Sequence, residues 1–467
     1  MNQDLKNYKP KSSHTLKFII MSAIGVFLFV APIPFITDDG YRAFNIPLGF
    51  AKNWLGGLIN SIPFGEFGLL FLLAAIVITA SFLGTVLAYT VKPDFIMNNE
   101  RMKRLFHCGP IYFISKTIGF ALVWMVFFNI GPEWLLDEYE GAGLMVDLIT
   151  SDGGLMAIFI LLGMAIPILT QFGIMEFLGI LIKKVVRVLF TLPGRASVDL
   201  LGSWFSDSAG SVMITRSQHE QGYYTSREAA AIVVNFTLVS LPFTFVVADV
   251  IDMLGYFGRF YLTICVVSII LAMIMPRIWP LNKIPDEYLP EVGKQIDEEV
   301  PKNVSMFNWA VKLASKRASE AGPADVVKAG ANNWLNIFMD LIPIILAWGT
   351  VAVVIEANTP IFQRISWPFG QYLQLLRVPE AMEYAHVAVV GFIDMFLPAL
   401  MLGSTAPLDT RFIIGALSIV QIIFLSETGI LILKSKIPLN IGHLAILFVM
   451  RTILALPLIV LMAWLLL

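Results

Sequence analysis

The chain has 467 residues, 57% of them hydrophobic and only 14% charged, with a formal net charge of −2. Soluble domains carry about 25% charged residues, so the composition excludes a soluble globular protein, and the charge balance argues against a nucleic-acid partner. The two cysteines, Cys108 and Cys265, lie far apart in sequence and suggest neither a disulfide framework nor a thiolate metal site.

A polar head with Lys6, Lys9, Lys11 and Lys17 leads into the first apolar run, Leu16 to Phe35. Pro32 and Pro34 stand where a signal peptide would place small residues, so the run reads as a retained span. Residues 41–62 read as an interfacial helix anchored by Phe50 and Trp54. Apolar runs long enough to cross a bilayer predict nine spans, at about 16–36, 66–91, 111–130, 153–183, 226–250, 257–279, 334–357, 410–433 and 441–466. Two further stretches, 198–216 and 386–408, are apolar but interrupted by small and polar residues, and are expected to be re-entrant. Residues 281–332 read as a cytoplasmic linker with one short amphipathic helix near 305–320.

Basic residues cluster at the N-terminus, at Lys92 to Arg104, at Lys183, Lys184 and Arg187, at Arg277 to Lys328, and at Lys434 and Lys436. Acidic loops at Asp38-Asp39 and Glu133 to Glu140 alternate with them. These placements fit one topology if both interrupted stretches dip in and return, with a cytoplasmic N-terminus and an outer C-terminus.

The chain also compares with itself. "IPILTQFG" (166–173) lines up with "IPIILAWG" (342–349), and Asp199 and Arg216 share their spacing with Asp394 and Arg411. The same register sets "SDSAGS" (206–211) over "MLGSTA" (401–406), and Asn235 and Ser240 over Gln421 and Ser426. An odd number of crossings separates the copies, which makes them inverted-topology repeats, a recurring build of secondary transporters. The predicted organisation is a three-span region 1–150, a first repeat 151–280, the linker 281–332 and an inverted second repeat 333–467.

The polar stretch "GSWFSDSAGSVMITRSQHEQG" (202–222) is then one jaw of a binding site, and 401–409 its mate. Non-helical backbone at membrane depth is tolerated only where protein or a wet cavity satisfies it. Gly202, Gly210 and Gly403 let the chain turn; Ser206, Ser208, Ser404 and Thr405 supply hydroxyls. Charged groups at membrane depth cost about 2.5–3.5 kcal/mol on insertion scales and point to function. Asp207 on the first tip and Glu427, between Ser426 and Thr428, are such groups. They read as ligands of solute or coupling ion, or as structural partners of an arginine such as Arg216 or Arg411. Gln171, Asn235, Thr237, Ser240 and Gln421 complete the polar set, as solute ligands or as interhelical hydrogen bonds. Asp199 and Asp394 read as caps of half-helices, and Asp249 and Asp252 as solvated residues near the outer end of their span. "QHEQG" (218–222) lacks the second histidine of a zinc helix, "SDSAG" is no nucleophile elbow, and the five histidines are scattered. Neither catalytic residues nor metal ligands are expected.

Residues 194–246, "GRASVDLLGSWFSDSAGSVMITRSQHEQGYYTSREAAAIVVNFTLVSLPFTFV", resemble the nucleoside-recognition, or Gate, domain family. The whole chain looks like its YjiH-type bacterial inner-membrane members. The resemblance implies an all-α polytopic membrane protein of about nine transmembrane helices plus two re-entrant hairpins, built as Gate-domain transporters are. In the nucleoside carriers of the family, hairpin tips and the partly unwound spans after them bind solute and a coupling cation. Carried over, that points to Ser206, Asp207 and Ser208, to Gly403, Ser404 and Thr405, to Asn235, and to Ser426, Glu427 and Thr428. The first tip lacks the glutamine–glutamate pair of those carriers, which leaves the solute open, and the cysteine-bearing segments of iron permeases are missing. The expected function is Na⁺- or H⁺-coupled transport of a small polar solute, with Asp207 or Glu427 holding the cation, no cofactor, and the lipid bilayer as surroundings. A homo-oligomer, or a non-transporting subunit acting with a second small Gate-domain protein, is the alternative organisation.

Overall fold

The structure, a computed structural model, describes residues 8, 10–31, 33–36, 42–64, 67–138, 141–152, 154–194, 196–197, 200–201, 208–236, 240–290 and 304–467. These residues are overwhelmingly helical. Among them, five helices are long and apolar enough to cross a membrane: Ser12–Phe29, Leu69–Thr90, Leu254–Lys283, Pro323–Ile355 and Ile441–Leu466. Ala142–Thr150 and Leu155–Thr170, which meet at 42°, add a sixth if they form one span. The protein is a multi-pass membrane protein.

In chain order the helices used below are α1 (Ser12–Val30), α2 (Pro47–Asn60), α3 (Leu69–Thr90), α4 (Pro110–Phe128), α5 (Ala142–Thr150), α6 (Leu155–Thr170), α7 (Ile174–Leu189), α8 (Ser208–Glu220), α9 (Ser226–Asn235) and α10 (Leu241–Val250). They continue with α11 (Phe257–Ile274), α12 (Met306–Glu320), α13 (Pro323–Asn336), α14 (Ile342–Asn358), α15 (Ile361–Leu375), α16 (Ala385–Val390), α17 (Leu397–Leu402), α18 (Leu408–Gln421), α19 (Ile430–Leu433) and α20 (Ile441–Leu466). Two π-helical turns, Ile337–Leu341 and Leu425–Gly429, precede α14 and α19.

Contacts gather the chain into two units. Unit 1 comprises 1–46, 166–326 and 365–467; unit 2 comprises 47–165 and 327–364. The second half of the chain therefore contributes to both units, an arrangement that sequence order alone does not reveal.

The first span is shorter than expected. α1 stops at Val30, ahead of Pro32 and Pro34, which offer no amide hydrogen to continue it. Residues 33–36 instead form a strand, β1, paired antiparallel with β2 (Arg42–Asn45). α2 lies where an interfacial helix was expected, with Trp54 exposed and Phe50 half-buried.

The fourth predicted span, 153–183, is a correction. Its helix α6 ends at Thr170, and α7, carrying Glu176, Lys183, Lys184 and Arg187, starts afresh after a turn. Gln171 therefore sits in that turn and not mid-span; its Oε1 accepts from Arg317 Nη2 at 2.6 Å. α12, the helix expected near 305–320, begins at a Ser305 cap whose Oγ accepts from Asn308 N. It is no free connector. Ala310, Ala314 and Ala318, one turn apart, make a buried small-residue face that packs on α7 and α1. Thr15 and Ser315 hydroxyls meet at 2.9 Å, and Phe18 packs at 5.5 Å on Phe177.

Gly173 is the residue that permits this approach. Its φ is +100°, and a Cβ there would lie 2.8 Å from Ala314 Cα. Both the conformation and the contact forbid a side chain, because the neighbour is backbone and has no rotamer to yield. Gly173→Ala is expected to destabilise unit 1 by about 1–3 kcal/mol, read as a lowered thermal midpoint in detergent. An unchanged midpoint would show that α7 and α12 are not held by this contact.

In unit 2, indole and hydroxyl groups tie the helices together. Trp348 Nε1 donates to Ser115 Oγ at 2.8 Å, Trp124 Nε1 to Thr79 Oγ1 at 3.0 Å, and Trp334 Nε1 to the Ile160 carbonyl at 2.8 Å. Gly119 lets α4 approach α14, since a Cβ there would lie 2.8 Å from the Pro343 carbonyl oxygen.

Candidate functional site: two broken helices joined by a buried arginine

Two helices of unit 1 are interrupted in their middles. The first is α9–α10. Pro242 at the start of α10 cannot donate to an upstream carbonyl, which favours a restart of the helix there. Ser240, 7% exposed, caps the restart with its Oγ accepting from Phe243 N at 3.4 Å. Asn235 is the last residue of α9.

The second interruption follows α18. Gln421 is its last residue, and Ile422 then adopts φ +61°, ψ −36°. A β-branched residue at positive φ is a genuine outlier, a strain on the order of 1–3 kcal/mol that the surroundings must hold. They do so at three points. Thr428 Oγ1 donates to the Ile422 and Phe424 carbonyls at 3.3 and 3.1 Å. Leu425 N donates to the Phe392 carbonyl at 2.9 Å. The third point is Arg451.

Arg451 stands ten residues after Ile441 on α20. At 1.5 Å per residue that is about 15 Å, half of a hydrocarbon core of about 30 Å. Its side chain is 0% exposed. Nε and Nη2 donate to the Val420 carbonyl at 3.1 and 2.8 Å. Nη1 donates to the Val234 carbonyl at 3.1 Å and to Asn235 Oδ1 at 2.8 Å. One guanidinium thus binds the C-terminal ends of both broken helices. Each end carries roughly half a negative charge from the helix dipole, so together they offset the buried cation. Among the described side chains, no carboxylate pairs with it.

The next residue on α20 holds the second break by another route. Gln421 Nε2 donates to Thr452 Oγ1 at 2.8 Å and to the Ala388 carbonyl at 2.9 Å. Its Oε1 is buried with no partner among the described residues and faces Gly391, where a Cβ would collide with it. A cavity of about 480 Å³ adjoins the first break, with Leu169, Leu178, Val186, Asn235, Leu241 and Ser268 in its wall. That size lies in the range of small-molecule sites, about 300–1,000 Å³.

Several predicted residues gather here. Asn235, Ser240, Gln421 and Thr428 all flank the two breaks. Ser426 and Glu427 lie on the π-helical turn Leu425–Gly429, and Ser208 opens α8; their side chains fall outside the described set. Ser206, Asp207 and Thr237 lie outside the described residues.

Gly403, Ser404 and Thr405 require correction. They form a turn ahead of α18, with Ser404 and Thr405 exposed and open space around Gly403. The 14 residues of α18 span about 20 Å, which separates this turn from the level of Arg451. Nearby Arg411 binds the Ile251 carbonyl and the Asp252 carboxylate at 3.0 and 3.2 Å, marking the end of the helices, not their middle. The turn that reaches the second break is 391–396, between the six-residue helices α16 and α17, where Asp394 Oδ1 accepts from Phe396 N at 2.8 Å. Gln171, held by Arg317 in its turn, is likewise no neighbour of Gln421.

Arg451, Thr452 and Gly391 were not anticipated. The signal was present for one of them: Arg451 is a lone charge inside the last apolar run. No cluster of three or more metal-ligating side chains occurs among the described residues.

Interrupted helices meeting at a buried polar centre are the feature that stands out in unit 1 of this multi-pass membrane protein. The nucleoside-recognition (Gate) family profile matches residues 154–257, which include the first break. A protein of Alkalihalophilus pseudofirmus, itself uncharacterised, is 40% identical over 453 residues, 97% of this chain and 95% of that one. The chain belongs to one family with it. Among solved structures, CNTnw in an outward-facing state is 16% identical, with a TM-score of 0.41, covering 97% of this chain and 96% of that one. CNTnw in an inward-facing substrate-bound state is 14% identical, with a TM-score of 0.38, covering 89% and 97%.

Proposed function

We propose that the protein is a secondary transporter of a small polar solute of the nucleoside-like class, driven by Na⁺ or H⁺. The solute would be held at the two helix breaks of unit 1. The observation that carries this reading is Arg451, one guanidinium bound to the ends of both interrupted helices. A break bridged in this way has two arrangements available, clamped and released, as alternating access requires. Asn235 and Gln421, paired in the sequence register, each end a half-helix, which supports inverted repeats. Ser206, Asp207, Ser208 and Thr237, together with Ser426, Glu427 and Thr428 on the turn after the second break, are the proposed solute ligands beside Asn235, Ser240 and Gln421. Asp207 and Glu427 are the proposed cation ligands. The Lys/Arg distribution supports an orientation with the N-terminus inside, and the proposed location is a bacterial inner membrane.

The test is gradient-driven uptake by reconstituted protein over nucleosides, amino acids and organic acids, with and without Na⁺. Uptake of at least one solute class is expected. Glu427→Gln and Asp207→Asn should each lower uptake, or its cation dependence, by about tenfold or more, the weight of one charge-assisted contact. Normal coupled uptake in both variants would remove their assignment. No uptake by folded protein of any solute would count against transport, and uptake only after addition of a second Gate-domain protein would favour the subunit organisation.

A further inference from the structure

Unit 2 contains a second buried charge, which the Gate region does not use. Lys116 lies six residues after Pro110 on α4, about 9 Å along the helix. Its side chain is 0% exposed. Nζ donates to the Leu105 carbonyl at 2.7 Å, lies 2.6 Å from Asp340 Oδ1, and sits 5.7 Å from the centre of the Phe106 ring. Asp340 is half-buried, at 30% exposure, and belongs to the π-helical turn Ile337–Leu341.

Three features set this pair apart from an ordinary helix-to-helix tie. Replacing a buried ion pair with well-packed apolar side chains is often neutral or stabilising, so stability alone does not call for one. The acid lies on a π-helical turn, a form that recurs at functional sites, and Ser81 holds that turn from α3 by donating to the Met339 carbonyl. The two partners also differ in access: the carboxylate is partly open near the loop end of α4, while the ammonium is sealed. The titratable groups on neighbouring elements include Tyr89 on α3, Arg101 and Lys103 on the short helix Glu100–Phe106 that supplies Leu105 and Phe106, His107 and Cys108 in the loop before α4, and Asp147 on α5. Cys108 feels both charges: burial raises its thiol, Lys116 lowers it and Asp340 raises it.

We infer that Lys116 and Asp340 form a proton-operated contact. A proton from solvent binds an Asp340 carboxylate oxygen; no covalent bond of the protein breaks, and the proton returns to solvent on release. The neutral acid loses the ion–ion attraction and keeps at most a hydrogen bond to the ammonium, so the hold of the π-helical turn on α4 loosens while the Ser81 contact from α3 remains. The use of this contact, to couple a proton to movement of unit 2, rests on the transporter reading; the contact itself does not.

The test is an infrared titration of purified protein with thiol labelling of Cys108 by N-ethylmaleimide, quantified by peptide mass spectrometry. Acidification is expected to produce a carboxylic-acid carbonyl band that Asp340→Asn lacks. Lys116→Met should move that band's midpoint up by about one to three pH units, because a neighbouring cation holds a carboxylate down by that amount. At neutral pH, Asp340→Asn should label Cys108 several-fold faster and Lys116→Met several-fold slower, as the thiolate fraction follows the local charge. Should Asp340→Asn fail to fold, the Lys116→Met/Asp340→Leu double variant, with an apolar pair in place of the charged one, should fold and lose the same band. A band that persists in Asp340→Asn or in the double variant, or a midpoint unmoved in Lys116→Met, overturns the proposal. Absence of solute uptake by the unaltered protein would sink the transporter reading and leave these titrations standing.

Discussion

Arg451→Met should give a protein that loses solute uptake and unfolds at a markedly lower temperature. Methionine fills much of the space but donates no hydrogen bond. Three acceptors would lose their donors: the Val234 and Val420 carbonyls and Asn235 Oδ1. Removing one side of a buried charged network costs about 3–5 kcal/mol, a large part of the roughly 5–15 kcal/mol that holds a typical domain. Arg451→Lys should rescue little. An ammonium is one point, whereas the guanidinium reaches two helices through three nitrogens. The strained Ile422 backbone, with its φ of +61°, would also lose a nearby restraint, the one at the Val420 carbonyl, so the second break should relax toward regular helix. The measurements are the thermal midpoint in detergent and uptake by reconstituted protein. An unchanged midpoint with normal uptake in Arg451→Met would remove the arginine from the centre of the site.

Gly391→Ala should lower both stability and uptake. Its Cβ would run into Gln421 Oε1. That amide cannot simply swing away, because its Nε2 is committed to Ala388 and Thr452. Overpacking of this kind costs about 1–3 kcal/mol, and the strain falls directly on the second break. The expected result is a lowered thermal midpoint and uptake reduced on the order of tenfold. Gln421→Ala in the same chain should relieve the collision, so the double variant should be no worse than Gln421→Ala alone, a coupling that a double-mutant cycle reads. Gly258→Ala is the control, since a Cβ there meets nothing within 4 Å. Equal effects of Gly391→Ala and Gly258→Ala would mean that the 391–396 turn does not press on the break.

Both predictions concern groups that lie far apart in sequence. Asn235 and Gln421 stood out as amides in apolar spans, and their matching places in the self-comparison singled out the two helix ends that Arg451 joins. Ser240 with Pro242 marked the first break by local chemistry alone. The second break had no such marker. Nothing in "VQIIFLSETG" (420–429) breaks a helix locally: its glycine comes at the end, and the residue that turns is an isoleucine. Tertiary contacts from Thr428, Phe392 and Arg451 impose that conformation, which propensity would have rejected. The same limit misled the reading of Gly403–Thr405. A polar, glycine-bearing tetrapeptide looks alike at a membrane surface and at its middle, and only the length of α18 separates the two.

The sequence by itself determined that this is a multi-pass helical membrane protein, because apolar run length and charge scarcity are direct consequences of the bilayer's thickness and low polarity. It also determined the Gate likeness and the first helix break, since Ser240 and Pro242 act on their own neighbours. Which turn reaches the second break was decided only in three dimensions, as was the partner of each buried charge: Arg451 with the ends of α9 and α18, and Lys116 with Asp340. The physical reason is that a buried cation is stabilised by whatever dipoles and acids the packed helices bring within about 3 Å, and in each case one of those comes from a segment more than 200 residues away (216 for Asn235 to Arg451, 224 for Lys116 to Asp340).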